Sequence, residues 1–214
     1  MSEILENLKK AVVEYDNAGA ANWARKAIDE GIVPVKALEA LTEAIRQIGE
    51  GYGRGELWLP ELVGAAAAMT SAMPVIEEKI KETGARRESL GIIVIGTVYG
   101  DIHNIGKDMV STLAAAEGFE VIDLGINTPA EKFVEAVKEH NADILAMSSL
   151  LTTTAPEQRK VLKALKEANL REKLKVAVGG GAITKEFAEE IEADGYRPTA
   201  PGAISLFKEL VSAR

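Results

Sequence analysis

Apolar residues recur at helical spacing through the first part of the chain. Ile4, Leu5, Leu8, Val12 and Tyr15 fall on one helical face. Asn17-Ala18-Gly19 interrupts that pattern, and a second helix is expected near 20–30, stopping at Gly31. Pro34 suits the first turn of a third helix, whose stripe is Val35, Leu38, Leu41, Ile45 and Ile48. Residues 51–55, with three glycines, read as a loop. A fourth helix starts near Pro60 and carries Leu62, Val63, Ala66, Met69, Met73 and Ile76; Pro74 is a candidate kink. Four helices with short connections predict a bundle. The charged stretch 81–89, which contains Gly84, reads as a linker and sets the expected domains at 1–85 and 90–214.

Beyond the linker the pattern changes. Residues 90–98 form a continuous apolar run, as expected of a strand covered on both faces. Helices are then expected at 107–117, 129–140, 156–168, 184–193 and 204–211. They alternate with strands at 119–124, 142–150, 174–178 and 196–199. Strict alternation predicts an α/β fold, a five-stranded parallel sheet with helices on both faces. The flavodoxin-like (Rossmann-type) order 2-1-3-4-5 fits, with its ligand crevice at the carboxyl ends of strands 1 and 3.

Composition narrows the function. The 33 acidic residues outnumber the 25 basic ones, for a net charge of −8, which argues against a nucleic-acid groove. Cysteine is absent, so disulfides, iron–sulfur clusters and thiolate zinc are excluded. Two histidines, His103 and His140, are too few for a multi-histidine metal site. No apolar run reaches about 18 residues, and the first residues lack a signal peptide's basic start. No membrane association and a cytoplasmic location are the expectation.

The crevice rule puts chemistry after strands 1, 3 and 4. Those loops hold Gly100-Asp101-Ile102-His103-Asn104-Ile105-Gly106, then Ser148-Ser149-Leu150-Leu151-Thr152-Thr153-Thr154, then Gly179-Gly180-Gly181. The loop after strand 2 holds nothing comparable. An Asp-x-His pair suits a metal-ligating imidazole whose second nitrogen is held by a carboxylate, and equally an ordinary polar loop. The hydroxyl-rich segment suits a ligand and equally a helix cap at Thr153 or Thr154. The glycines suit a plain turn and equally a floor for a flat ligand. A phosphate loop fails: five residues separate Gly100 from Gly106, and Asp108 follows Lys107 where a hydroxyl is needed. The glycine spacing also fails a dinucleotide fingerprint, and Asp101 and Asp123 do not build a phospho-receiver's acidic pocket.

Together the three segments resemble the cobalamin-binding fold, whose pattern is Asp-x-His-x-x-Gly, Ser-x-Leu and Gly-Gly after strands 1, 3 and 4. The stretch Gly55-Glu56-Leu57-Trp58-Leu59-Pro60-Glu61-Leu62, followed by the alanine-rich run to Met69, is similar to the helical cap preceding that fold in corrinoid methyltransfer proteins and methionine synthase. The resemblance implies cobalamin as cofactor, as methylcobalamin when loaded, with His103 as the ligand to cobalt and Asp101 hydrogen-bonded to it. It implies that Thr154 extends this pair into a relay for the proton taken up when His103 leaves cobalt. Ser148 and Thr152 would contact the displaced nucleotide tail. Leu150 and Gly106 would shape its channel, and Gly179, Gly180 and Ala200 would line it. Ile102, Asn104 and Ile105 complete the binding loop. In the cap, Leu62, Ala66 and Met69 are candidates for covering the methyl face.

The function so implied is a methyl carrier between a substrate-specific methyltransferase and an acceptor methyltransferase using tetrahydrofolate or coenzyme M, with a reductive activation protein as a further partner. No independent catalysis is expected, since 214 residues leave no segment for a TIM barrel of ~250. A cobalamin-sensing regulator is the alternative, though no DNA-binding helix-turn-helix is visible. A radical mutase subunit fits the helical half poorly, and a flavodoxin-like fold without cobalamin is the plainest rival.

Overall fold

The computed structural model describes residues 2–83 and 89–212 and divides the chain into two compact units, Met1–Glu88 and Ser89–Arg214. The middle of the linker stretch, 84–88, lies outside the described residues.

The first unit consists of α1 (Ser2–Val13), α2 (Asn17–Asp29), α3 (Pro34–Gly53) and α4 (Leu59–Thr83). Asp16 caps α2, its carboxylate accepting from the Gly19 amide at 2.8 Å. Gly31, at φ +73°, ends the turn that follows. The bundle core is built from the stripes of all four helices, with Leu8, Ala24, Leu41, Ile45, Leu62, Met69 and Ile76 fully or almost fully buried. The expected loop at 51–55 is shorter than its glycines suggest. α3 runs on through Gly53, and Gly51 is buried within it where a Cβ would meet Leu57 Cδ1 at 2.9 Å. That glycine serves close packing, and the turn itself falls on Arg54 and Gly55.

α4 continues through Pro74 to Thr83. It is the only described helix long and apolar enough, by length and composition, to cross a membrane. Its apolarity has another use here, since Leu62, Ala65, Ala68, Met69, Ala72 and Ile76 are buried in the bundle. Leu62, Ala66 and Met69 are thus core residues, on the inward stripe of α4. The exposed large apolar side chains of that stretch are Trp58, Leu59 and Val63.

The second unit is the expected α/β domain. Its elements are β1 (Ile92–Thr97), α5 (Ile105–Glu117), β2 (Glu120–Asp123), α6 (Ala130–His140), β3 (Ile144–Ser148), α7 (Pro156–Glu167), β4 (Lys175–Gly179), α8 (Lys185–Glu190), β5 (Gly195–Tyr196) and α9 (Ala200–Ser212). Among the described residues the sheet has five parallel strands in the order β2-β1-β3-β4-β5, the flavodoxin-like order the alternation predicted. Ile93, Ile144, Leu145 and Val176 are fully buried, as central strands require. Gly96 lets Phe133 of α6 pack close against β1, since a Cβ there would stand 2.8 Å from the ring.

Two features of this frame position the site. The register pairs Thr97 with Ser148 and Ser148 with Gly179, so the carboxyl ends of β1, β3 and β4 lie level. At the opposite edge a short device repeats: Asn141 and Glu192, both left-handed, end helical segments and are followed by Ala-Asp. Asp143 accepts from the Ile92 amide and Asp194 from the Val176 amide, each at 2.7 Å, fastening the start of the neighbouring strand. Near the C-terminus the expected strand 196–199 shrinks to Gly195–Tyr196, and the last helix begins earlier, at Ala200. The Thr199 hydroxyl accepts from the Gly202 amide at 3.2 Å, and Pro201 sits in the first turn, where no backbone donor is needed.

Candidate functional site

The loop after β1 folds around Asp101. This residue has no exposed side-chain surface, yet every oxygen is used. Oδ1 accepts from the His103 amide at 3.0 Å and meets His103 Nδ1 at 2.7 Å. Oδ2 accepts from the Thr154 hydroxyl and the Leu150 amide, both at 2.8 Å, and from the Leu151 amide at 3.4 Å. Ser149 Oγ stands 3.5 Å from the same oxygen and 2.8 Å from Thr154 Oγ1. Burial pushes the carboxyl's pKa up, but the His103, Thr154 and Leu150 hydrogen bonds outweigh it, holding Asp101 well below the usual carboxylate range.

An ionised carboxylate only accepts hydrogen bonds, so the 2.7 Å contact assigns the imidazole proton to Nδ1. Nε2 then keeps its lone pair. The imidazole is 46% exposed, and Nε2 has no hydrogen-bond partner among the described residues. The arrangement is a basic nitrogen of fixed tautomer, backed by a buried anion and presented at the carboxyl edge of the sheet. That is what a metal-ligating histidine requires.

The second and third segments close on the same point. Ser148 ends β3, and Thr152 and Thr153 are exposed beyond it. Thr154 does not cap α7 through its side chain. Its hydroxyl goes to Asp101 instead, and α7 starts at Pro156 with Ala155 in the cap position and no side-chain cap. The glycines after β4 answer partly to the chain itself. Gly180 has φ +109°, and a Cβ on it would lie 2.1 Å from the Ser149 carbonyl oxygen. A Cβ on Gly181 would meet Leu150 Cδ1 at 2.7 Å. Gly106, by contrast, faces open space, and Gly179 meets only an ordinary contact. Ala200 opens α9 and is buried there, taking no part in the Asp101 network.

Several contributors escaped the sequence reading. Ser149 is fully buried beside Thr154, and only its neighbours Ser148 and Leu150 match the sequence pattern. Gln158, on the first turn of α7, donates from Nε2 to the carbonyls of Met147 and Gly179 at 3.2 and 3.3 Å, tying β3 to β4 beneath the site. The loop after β2, expected to be plain, is the buttress of the histidine loop. Asn127, at φ +52°, accepts from the Gly100 amide at 2.7 Å and donates its own amide to the Asp101 carbonyl at 2.9 Å. An asparagine following Gly-Ile after a strand was the one available hint, since Asn tolerates that conformation.

Around this centre the rim is apolar. Tyr99, Ile102, Ile126, Leu150 and Leu151 sit in the loops after β1, β2 and β3, and Ile105 opens α5, all with their side chains exposed. Exposed apolar patches rimmed by polar groups mark ligand sites.

Comparison with known proteins decides the matter: models described as "B12 binding domain" match residues 91–205 and 4–77. The chain belongs to the B12-binding family of corrinoid proteins. Cobalamin is accordingly its cofactor. This corrinoid protein is 40% identical to the trimethylamine corrinoid protein of Methanosarcina barkeri over 207 residues, 96% of this chain and 95% of that one. In structure it is similar to the methanol:cobalamin methyltransferase complex MtaBC from Methanosarcina barkeri. The TM-score is 0.84 at 28% identity, covering 99% of this chain and 81% of that one. A cobalamin-binding protein from Desulfitobacterium hafniense DCB-2 matches with a TM-score of 0.70 at 28% identity, covering 96% and 98% of the two chains. In this corrinoid protein the buried Asp101, the free Nε2 of His103 and the open space at Gly106 are the local features that fit a corrinoid.

Proposed function

We propose that this corrinoid protein is a methyl carrier that binds cobalamin with its own base displaced and His103 in the base's place. Relatives named for trimethylamine support the reading, as does the structural likeness to a methanol methyltransferase complex. A substrate-specific methyltransferase would deliver the methyl group, and a second methyltransferase would pass it to tetrahydrofolate or coenzyme M. A reductive activation protein would restore cofactor oxidised by accident.

Bound cobalamin supplies a cobalt centre that accepts and releases a methyl group, and the protein tunes it. His103 would offer Nε2 to the cobalt, with Asp101 fixing its tautomer and raising its basicity. Whenever Nε2 is not engaged by a metal it would be free to take a proton from solvent, and Asp101, with Thr154 and Ser149 hydrogen-bonded behind it, would stabilise the charged imidazolium. Ser148, Thr152, Gly179, Gly180 and Ala200 would line the path of the nucleotide tail, with Leu150 and Gly106 shaping its entrance.

The observation that carries the proposal is the half-exposed imidazole whose Nδ1 is held by a fully buried carboxylate. Electron paramagnetic resonance of the Co(II) protein tests it, using nitrogen-15 histidine labelling. We expect the axial hyperfine pattern to change with the label and to disappear in His103→Ala. A pattern indifferent to both would show that His103 does not ligate cobalt.

A further inference from the structure

We propose that Lys107 is a positioning residue for the His103 loop, an inference that rests on the reading of His103 as the cobalt ligand. In sequence terms Lys107 matters only as the residue whose successor, Asp108, spoils a phosphate loop. In the fold its side chain is 3% exposed, and its ammonium lies 2.5 Å from both Asp108 Oδ1 and Asp123 Oδ2.

Each carboxylate leads somewhere useful. Asp123 ends β2, and it also accepts from the Gly125 amide at 2.8 Å and the Ser111 hydroxyl at 3.2 Å. Asp108 accepts from Asn104 Nδ2 at 2.7 Å through its other oxygen, and Asn104 directly follows His103. The contacts therefore run from the end of β2 through Asp123, Lys107 and Asp108 to the residue beside the imidazole. Asn127 holds the other end of the loop at Gly100 and Asp101. Between these anchors the Thr97 hydroxyl donates to the His103 carbonyl at 3.1 Å.

A buried ion pair is a weak source of stability, because desolvation offsets most of its attraction; its best-attested use is to specify geometry. Geometry is what this loop needs. Its apolar side chains Ile102 and Ile105 face outward, so core packing does little to hold it. The brace would fix where Nε2 is presented to the metal.

Lys107→Met tests this while keeping the fold. It preserves the buried stem, and both carboxylates, 49% and 35% exposed, remain solvated without the ammonium. The first measurement is amide hydrogen exchange of the ligand-free protein, where the His103 amide should exchange faster in the variant while the Gly100 amide, held by Asn127, serves as the control. The second is a double-mutant cycle, titrating each protein with hydroxocobalamin. Lys107→Met should weaken binding about tenfold when His103 is present, the usual scale for support of a metal ligand. In the His103→Ala background it should change affinity by less than about twofold, since coupled residues lose additivity. Equal losses in both backgrounds, or no loss in either, would overturn the inference. Should the variant fail to fold, Asp123→Asn removes the same ion pair with little change of shape and enters the same cycle. If the wild-type Co(II) spectrum lacks histidine coupling, the reading of His103 falls first and this inference goes with it. That failure appears without any Lys107 variant.

Discussion

Asp101 is an anion without exposed surface, and the donors around it decide its behaviour. Its folded carboxyl titrates below its unfolded one, so the unfolded chain takes up the proton first as pH falls. The resulting stabilisation is complete above about pH 5 and is lost as pH drops through the folded pKa. We expect Asp101→Asn to cost about 1–3 kcal/mol at neutral pH, the scale of a hydrogen bond to a charged group. The gap from wild type should narrow below about pH 4, read from urea midpoints of the ligand-free protein. A gap unchanged from neutral to acid pH would contradict the lowered pKa. Glycines at this scale separate into two kinds. Gly180→Ala places a Cβ 2.1 Å from a backbone oxygen at a left-handed position, so we expect a loss of at least about 2 kcal/mol in thermal or urea unfolding. Gly106→Ala meets open space, so stability should hold within about 0.5 kcal/mol while hydroxocobalamin binding weakens. Reduced stability with intact binding at position 106 would reverse that assignment.

The elements were legible where the physics is local and repetitive. The change from helical stripes to apolar runs marks the start of the sheet at β1, and strand–helix alternation implies a parallel sheet, with which the observed strand order agrees. What the sequence hid are places where one residue type serves two ends. Gly51 and Gly53 look like turn residues, yet Gly51 is helical because a neighbour needs its space. Thr154 looks like a helix cap and instead donates to a carboxylate 53 positions earlier in the chain. The motifs identify the ligand loop; its supports at Lys107, Asp123 and Asn127 come from another element and depend on the sheet bringing them together. Another such support is the Ala-Asp device at the strand starts. Asp143→Ala should release the Ile92 amide, raising its hydrogen-exchange rate and costing about 1–3 kcal/mol. Unchanged protection at Ile92 would show that the start of β1 is held by other contacts.

At the scale of the whole molecule, the second unit holds every residue assigned to the cobalt site, while the first is a bundle whose α4 is largely spent on its own core. In the proposed holoprotein both nitrogens of His103 are committed, and Asp101 is enclosed by donors. His140 closes α6 at the opposite edge of the sheet, next to the start of β3. The half-exposed carboxylates nearest this loop, Asp108 and Asp123, are paired with Lys107. We therefore expect the purified chain, loaded with corrinoid, to release no methyl group from trimethylamine or methanol until a methyltransferase is added, as followed by loss of substrate. Steady turnover by the chain alone would refute the carrier assignment. The two edges of the sheet also differ in how they should take changes of length. Where helix passes to strand, a single residue inserted between Asn141 and Ile144 would pull the Asp143 carboxylate off the Ile92 amide and shift β3 against both neighbours. At the other edge, an insertion at the exposed Thr152–Thr153 step leaves every strand pairing in place. An insertion there would thus disturb the Leu151 and Thr154 contacts to Asp101 and cost binding, whereas the same insertion at the back of the sheet would cost the fold.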